Sequence, residues 1–269
     1  MLLRRFGQLS LVTIFFTICG SVGPAGQNRL IHTNGQTVTP SFEGWFKNAD
    51  GTYNLVFGYY NRNKVEEMDV PVGPNNKLSP GSIDRGQPTH FLTGRRVGVF
   101  SVTVPKDFGN QTVTWTLTTE GQSLAIPGHI RPDFEISAMK ELTTGNVPPV
   151  IRLDPEAKGV QGPVGATLTR TAAVGEKVNL NVWADPAPQG ETDTDTEAIN
   201  TSRILAISRY RGADALKIEK SQLRLTDGNP VSTQATFSEA GEYTLAIVAG
   251  RPGTTGCCWT NLFLRVVVR

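Results

Sequence analysis

The sequence predicts an all-β chain, two antiparallel β-sandwich domains behind a signal peptide, and three observations carry that prediction. Short runs of alternating apolar and polar residues recur along the chain, bounded by Gly, Pro, Asn and Asp. Beyond the N-terminal segment no stretch carries the 3.6-residue periodicity of an amphipathic helix. A Pro148-Pro149 pair interrupts the chain near its middle, where it favours an extended, semi-rigid spacer. The 269 residues suit two domains at about 150 residues each. An apolar content of 38% is enough for two ordinary cores.

Residues 1–25 read as a secretory signal peptide. Arg4 and Arg5 form the positive end, Leu9 to Ile18 the apolar stretch, and Gly20, Ser21, Gly23 and Ala25 the small-residue region. The apolar stretch is far short of the roughly 20 residues a bilayer span needs, so no stable membrane insertion of the mature chain is expected. The expected location is secreted or periplasmic. Residues 26–40 are a polar lead-in, 41–142 the first sandwich, 143–150 the linker and 151–269 the second sandwich.

The first sandwich opens on SFEGWFKN and TYNLVFGYY, which flank Asp50-Gly51, a two-residue turn signal. That turn sets Phe46 against Leu55, Gly44 against Phe57 and Phe42 against Tyr59 on one face. Trp45, Val56 and Tyr60 then share the other face. The polar section from Asn61 to Gln87 is long for a loop, so short strands are expected at 65–70 and 90–92. Arg96 to Val104 is a strand stopped by Pro105. In 111–119, Val113, Trp115 and Leu117 alternate with threonines. Strands at 123–126 and 134–136 would close the sheet.

In the second sandwich, Val150 to Leu153 begins a strand and Lys177 to Ala184 places Val178, Leu180 and Val182 inward. Strands are expected at 203–210, 216–218 and 232–237. The last hairpin is the clearest: Tyr243, Leu245 and Ile247 alternate with Thr244 and Ala246, and Leu262, Leu264, Val266 and Val268 alternate with Phe263, Arg265 and Val267. Glu239-Ala240-Gly241-Glu242-Tyr243 resembles the tyrosine corner of immunoglobulin-like sandwiches. The segments AVGEKVNLNVWADP, ATFSEAGEYTLAIVA and LFLRVVV resemble the polycystic-kidney-disease (PKD)-like and immunoglobulin-like domains of bacterial secreted proteins, over residues 150–269. Where that pattern carries Trp-Asp-Phe-Gly-Asp, this chain has Ser208-Arg209-Tyr210-Arg211-Gly212. GWFKNADGTYNLVFGYYNRN and DRGQPTHF resemble a companion domain of exported bacterial proteins, a resemblance that implies fold and no particular activity.

A net charge of +2, with basic residues scattered, argues against a nucleic-acid partner. The three histidines, His32, His90 and His129, show no metal-ligand spacing, and no nucleophile elbow, phosphate loop or dinucleotide fingerprint occurs. No cofactor is expected. Asp193, Asp195 and Glu197 alternate in a long loop and are candidates for a calcium site, lacking the Gly and distal Glu of a complete loop. Trp45 and Tyr60 are candidates for stacking on a ligand. Cys257 and Cys258 are adjacent and follow the signal segment that holds Cys19; a bond to each other, a bond to another chain and free thiols all remain open. Neighbouring Cα atoms about 3.8 Å apart make a bond between them a tight ring. The composite expectation is a non-catalytic structural, adhesion or protein-interaction protein with an extracellular protein or glycan as partner. A carbohydrate-binding module is the alternative, and a hydrolase using acidic residues of the first sandwich's long loops is the third option.

Overall fold

A computed structural model describes residues 32–269 apart from 141–146, 186–203, 227 and 251–257. The first half contributes β1 (Val38–Lys47), β2 (Tyr53–Asn61), β3 (Met68–Asp69), β4 (Asn76–Ser79), β5 (His90–Phe91), β6 (Gly94–Val104), β7 (Val113–Thr119) and β8 (Gln122–Gly128). They form a β1-β2-β6 sheet, a β4-β7-β8 sheet and a small β3-β5 ladder. Leu55, Phe57, Phe100, Trp115 and Leu117 fill the space between the larger sheets. Phe100 meets Trp115 edge-on with ring centroids 5.0 Å apart. In β7 the inward Val113, Trp115 and Leu117 are buried while the intervening threonines stay partly exposed, as the alternation requires.

The second half contributes β9 (Ile151–Arg152), β10 (Thr167–Ala172), β11 (Lys177–Ala184), β12 (Ile204–Arg211), β13 (Leu216–Ile218), β14 (Gln222–Arg224), β15 (Val231–Phe237), β16 (Gly241–Gly250) and β17 (Thr260–Val268). A five-stranded sheet runs β10-β17-β16-β12-β14, and a four-stranded sheet runs β13-β15-β11-β9. The strand pairs are antiparallel except β10, which lies parallel to β17. Leu180, Ile207, Phe237, Leu245 and Leu264 form the core between the two sheets. Each such side chain contributes about 1.5–3 kcal/mol when removed from water. The architecture is all-β and sandwich-like in both halves. Among the described residues no helix is long and apolar enough to cross a membrane.

The β16–β17 hairpin keeps the register its alternation implies: Tyr243 faces Val266, Leu245 faces Leu264 and Ile247 faces Leu262. The Tyr243 hydroxyl donates to Glu239 O at 2.9 Å, completing the tyrosine corner. Gly212 makes room for it, because a Cβ there would come within 2.9 Å of the Tyr243 ring.

The β1–β2 hairpin departs from its expected register. Lys47 pairs with Tyr53, so the connection is the longer stretch Asn48–Thr52 instead of a two-residue Asp50-Gly51 turn. Asn48 closes it with a backbone donation to Thr52 O at 2.8 Å, and Asp50 Oδ1 accepts from the Thr52 amide. Trp45 therefore stands opposite Leu55, where Phe46 was expected. A bulge between Phe42 and Gly44 shifts the pairing by a further residue. A one-residue slip exchanges faces: Trp45 joins the core of the first half, and Phe46 and Val56 point the other way.

The expected closing strand at 134–136 is instead a 3-10 turn, Pro132–Phe134, followed by a single parallel bridge from Glu135 to Trp45. Pro132 has no amide to give to a ladder. The short edge strands β4, β10 and β14 have too few apolar positions for a period of two to be read from them.

Candidate functional site

The faces turned away from the two cores meet in a seam. Phe46 and Val56 from the β1-β2-β6 sheet pack with Trp259, at the head of β17, and with Ala138, with Val97, Ile136 and Val248 around them. The seam depends on Gly98 in β6. Here β6 bulges against β2, since Phe57 pairs with Phe100 while Tyr59 pairs with Arg96. Gly98 has φ +60°, and a Cβ on it would lie 1.8 Å from the Trp259 ring. Only glycine combines that backbone with so close an approach. The exposed carbonyl edge of the bulge is then satisfied from the other half. Trp259 Nε1 donates to Gly98 O at 3.2 Å, and Asn261 Nδ2 donates to the same oxygen at 2.8 Å and to Pro163 O at 2.9 Å.

Beside this apolar contact lies a polar clasp. β12 bulges between Arg209 and Arg211, which turns three successive side chains toward the first half. Arg211 grips Asp84 with two donors at 3.0 and 2.8 Å and donates to Gln87 O at 2.9 and 2.5 Å. The Tyr210 hydroxyl donates to Gly86 O at 2.5 Å, and the Thr89 amide donates to Tyr210 O at 3.1 Å. Arg209 forks onto both oxygens of Asp69 at 2.9 and 3.0 Å. Asp69 also faces His90 Nδ1 at 3.0 Å, and Glu67 faces His90 Nε2 at 3.0 Å, with the ring itself buried. Asn76 braces the segment from beneath, donating to Val70 O and Pro88 O and accepting from Trp115 Nε1.

The electrostatics follow the contacts. Hydrogen bonds from Arg211 hold the Asp84 carboxyl below its ordinary value. Burial pushes the Tyr210 and Tyr59 hydroxyls well above the ordinary phenol range. Arg96 opposes that rise at Tyr59.

Between the seam and the clasp runs an open groove of about 590 Å³. One wall is the start of β6, including Arg95 and Arg96, with His90 and Glu67 behind it. The floor is the outward face of the five-stranded sheet, where Ala206, Ser208, Ala246 and Val248 present small side chains. A groove of this size, between two packed units and with a few convergent polar groups, is the usual form of a binding site.

Of the residues singled out in the sequence, Trp45 is buried at 8% exposure and its Nε1 donates to Arg131 O, whereas Tyr60 is 46% exposed. The two rings do not share an exposed platform. Asp193, Asp195, Glu197 and Cys257 lie outside the described residues. Cys258 is disulfide-bonded; the chain's other cysteines, Cys19 and Cys257, are both outside the described residues. Among the described residues no three His, Cys, Asp or Glu side chains gather as a metal site. Of the acids between Asn61 and Gln87 in the first half, Glu67, Asp69 and Asp84 are engaged by His90, Arg209 and Arg211, and Glu66 accepts from the Gly35 amide. The clasp joins DRGQPTHF to Ser208-Arg209-Tyr210-Arg211-Gly212, both distinctive in the sequence. Nothing in the sequence says they touch, because more than a hundred residues separate them.

No protein-family model and no curated protein matches this chain. Among solved structures it is similar to the D0-D1 domain of intimin, at 12% identity over 86% of this chain and 98% of that one, with a TM-score of 0.25. It is also similar to a protein of unknown function from Porphyromonas gingivalis W83, at 9% identity over 86% and 100% of the two chains, TM-score 0.26. The Yersinia pseudotuberculosis adhesin InvE matches at 13% identity over 87% of this chain and 59% of its own length, TM-score 0.24. No functional conclusion attaches to likenesses of this size.

Proposed function

We propose that this chain is an exported, non-catalytic interaction protein that binds an extracellular protein, with its two sandwiches acting as one rigid body. The observation that supports this reading is the seam: Gly98 seats Trp259, Tyr210 and Arg211 of β12 grip the Asp84–Gln87 segment while Arg209 beside them grips Asp69, and a groove is left open between them. A fixed relation between two modules keeps a recognition surface preorganised and lowers the ordering cost of binding. Glu67, Asp69 and Asp84 are engaged at the clasp, which leaves those three acids poorly placed to act on a substrate. Export rests on the N-terminal segment, and the division into two sandwiches rests on the two cores, the first of which begins at Val38, inside the expected 26–40 lead-in, instead of at residue 41.

The test is to immobilise the full chain, expose it to extracellular and surface fractions, and probe a glycan array in parallel. Saturable, reversible capture of a protein that is recovered intact is the expected result. Cleavage or consumption of the captured material replaces this reading with the hydrolase. Binding confined to glycans replaces it with the carbohydrate module. N-terminal sequencing of exported material, starting near residue 26, checks the signal peptide.

A further inference from the structure

We infer that the groove docks a short, extended polypeptide segment bearing an acidic side chain, with its carboxylate on Arg96 and small or branched apolar side chains on the sheet face. This inference rests on the interaction reading above and assigns it a site and a ligand chemistry.

The charges around the groove decide the sign of the occupant. Arg95 is neutralised by a fork onto Glu43, both contacts at 2.6 Å. Arg209 is neutralised by Asp69, with the exposed Asp214 carboxylate also 3.6 Å from it at the groove's edge, and Glu67 lies on His90. Arg96 is exposed, lines the wall, and has no ion-pair partner among the described residues. Among the described residues the β6 wall therefore presents one guanidinium without a carboxylate, and its planar fork matches a carboxylate in two-point geometry.

The floor decides the shape. Outward positions of a solvated sandwich sheet are ordinarily polar, yet here Ala206, Ala246 and Val248 are half-buried or buried. The first half covers Val248 by packing on the seam, and the Ala206–Ser208 end is left as groove floor. The lining crosses β14, β12, β16 and β17, from Gln222 to Asn261. Three strand spacings of about 4.8 Å give roughly 14 Å, the length of four or five extended residues. Tyr59 and Tyr210, the aromatic rings in the lining, are buried, so no ring lies open for sugar stacking and a peptide fits better than a glycan.

A display library of random pentapeptides, selected on the full chain and separately on Arg96→Glu, tests this. The expected result is enrichment of Asp or Glu at one position on the natural chain and of Lys or Arg there on the variant. A synthetic peptide from the first selection should bind Arg96→Glu at least tenfold more weakly. It should also bind Ala206→Phe more weakly, since that change fills the floor without altering charge. Unchanged far-ultraviolet circular dichroism checks that both variants fold. No enrichment, or the same enrichment on both proteins, overturns the inference. If the partner captured above binds Arg96→Glu as well as the natural chain, the groove is not its site and only the interaction reading survives. If peptides are selected as expected but no partner is ever captured, the groove survives and that reading fails.

Discussion

The two ends of the seam hold by different physics. At Gly98 the halves meet by shape, with an indole lying where a side chain would otherwise stand. At Asp84 and Arg211 they meet by charge, and both side chains keep part of their surface in water, at 47% and 25%. Shape admits no substitute, because a displaced indole has nowhere else to bury its surface. Charge near water is replaceable, since solvent competes for each partner and a typical exposed pair is worth only about 0–1 kcal/mol. The apolar end should therefore supply most of the stability of the seam, and the clasp its orientation.

Substitutions can break or sharpen that contrast. Gly98→Val should have the largest effect, combining about 1–3 kcal/mol of backbone strain with loss of the Trp259 seat, itself worth about 3–5 kcal/mol. Chemical denaturation should show the midpoint collapsing; a near-natural midpoint would mean that the seam has another foundation. Trp259→Ala should cost about 3–5 kcal/mol without the strain. Arg211→Ala should cost less, about 1–2 kcal/mol, since it removes donors from Gln87 O as well as the ion pair. If it proves as costly as Trp259→Ala in the same assay, charge and shape contribute equally and the contrast is wrong.

Tyr243→Phe lies off the seam and serves as the reference for one hydrogen bond, about 0.5–1.5 kcal/mol. An unchanged unfolding midpoint would remove the tyrosine corner from the account of stability. The smallest effect belongs to Asp84→Asn and shows as pH dependence. The Asp84 carboxyl is depressed in the folded chain, so its contribution is present above the ordinary carboxylate value near 3.9 and fades as pH falls through the lower folded value. The natural chain should lose its advantage over Asp84→Asn only below about pH 4. An advantage that instead grows on acidification contradicts the assignment.

The two hairpins show how far the sequence could be read. In β16–β17 the inward positions Tyr243, Leu245, Ile247, Leu262, Leu264 and Val266 are large and apolar, both strands are long, and one register satisfies all six. In β1–β2 both faces carry large apolar residues, because one packs on the core and the other on the seam. Alternation then has two solutions one residue apart, and the turn chemistry of Asp50-Gly51 selected the wrong one. The choice was made by groups distant in sequence: Arg131 O, which accepts from the Trp45 indole, and Ile136, whose amide donates to Trp45 O.

By itself the sequence determined the class of the fold, the strands with one buried face and the tyrosine corner, because each depends on a local period or on residues a few positions apart. It also contained every member of the seam and the groove in plain view. Only the tertiary structure decided that Gly98 seats Trp259, that Arg211 holds Asp84, and that Arg96 has no carboxylate beside it among the described residues. Those facts depend on which outward faces meet and on which charges cancel across distances that no local pattern encodes.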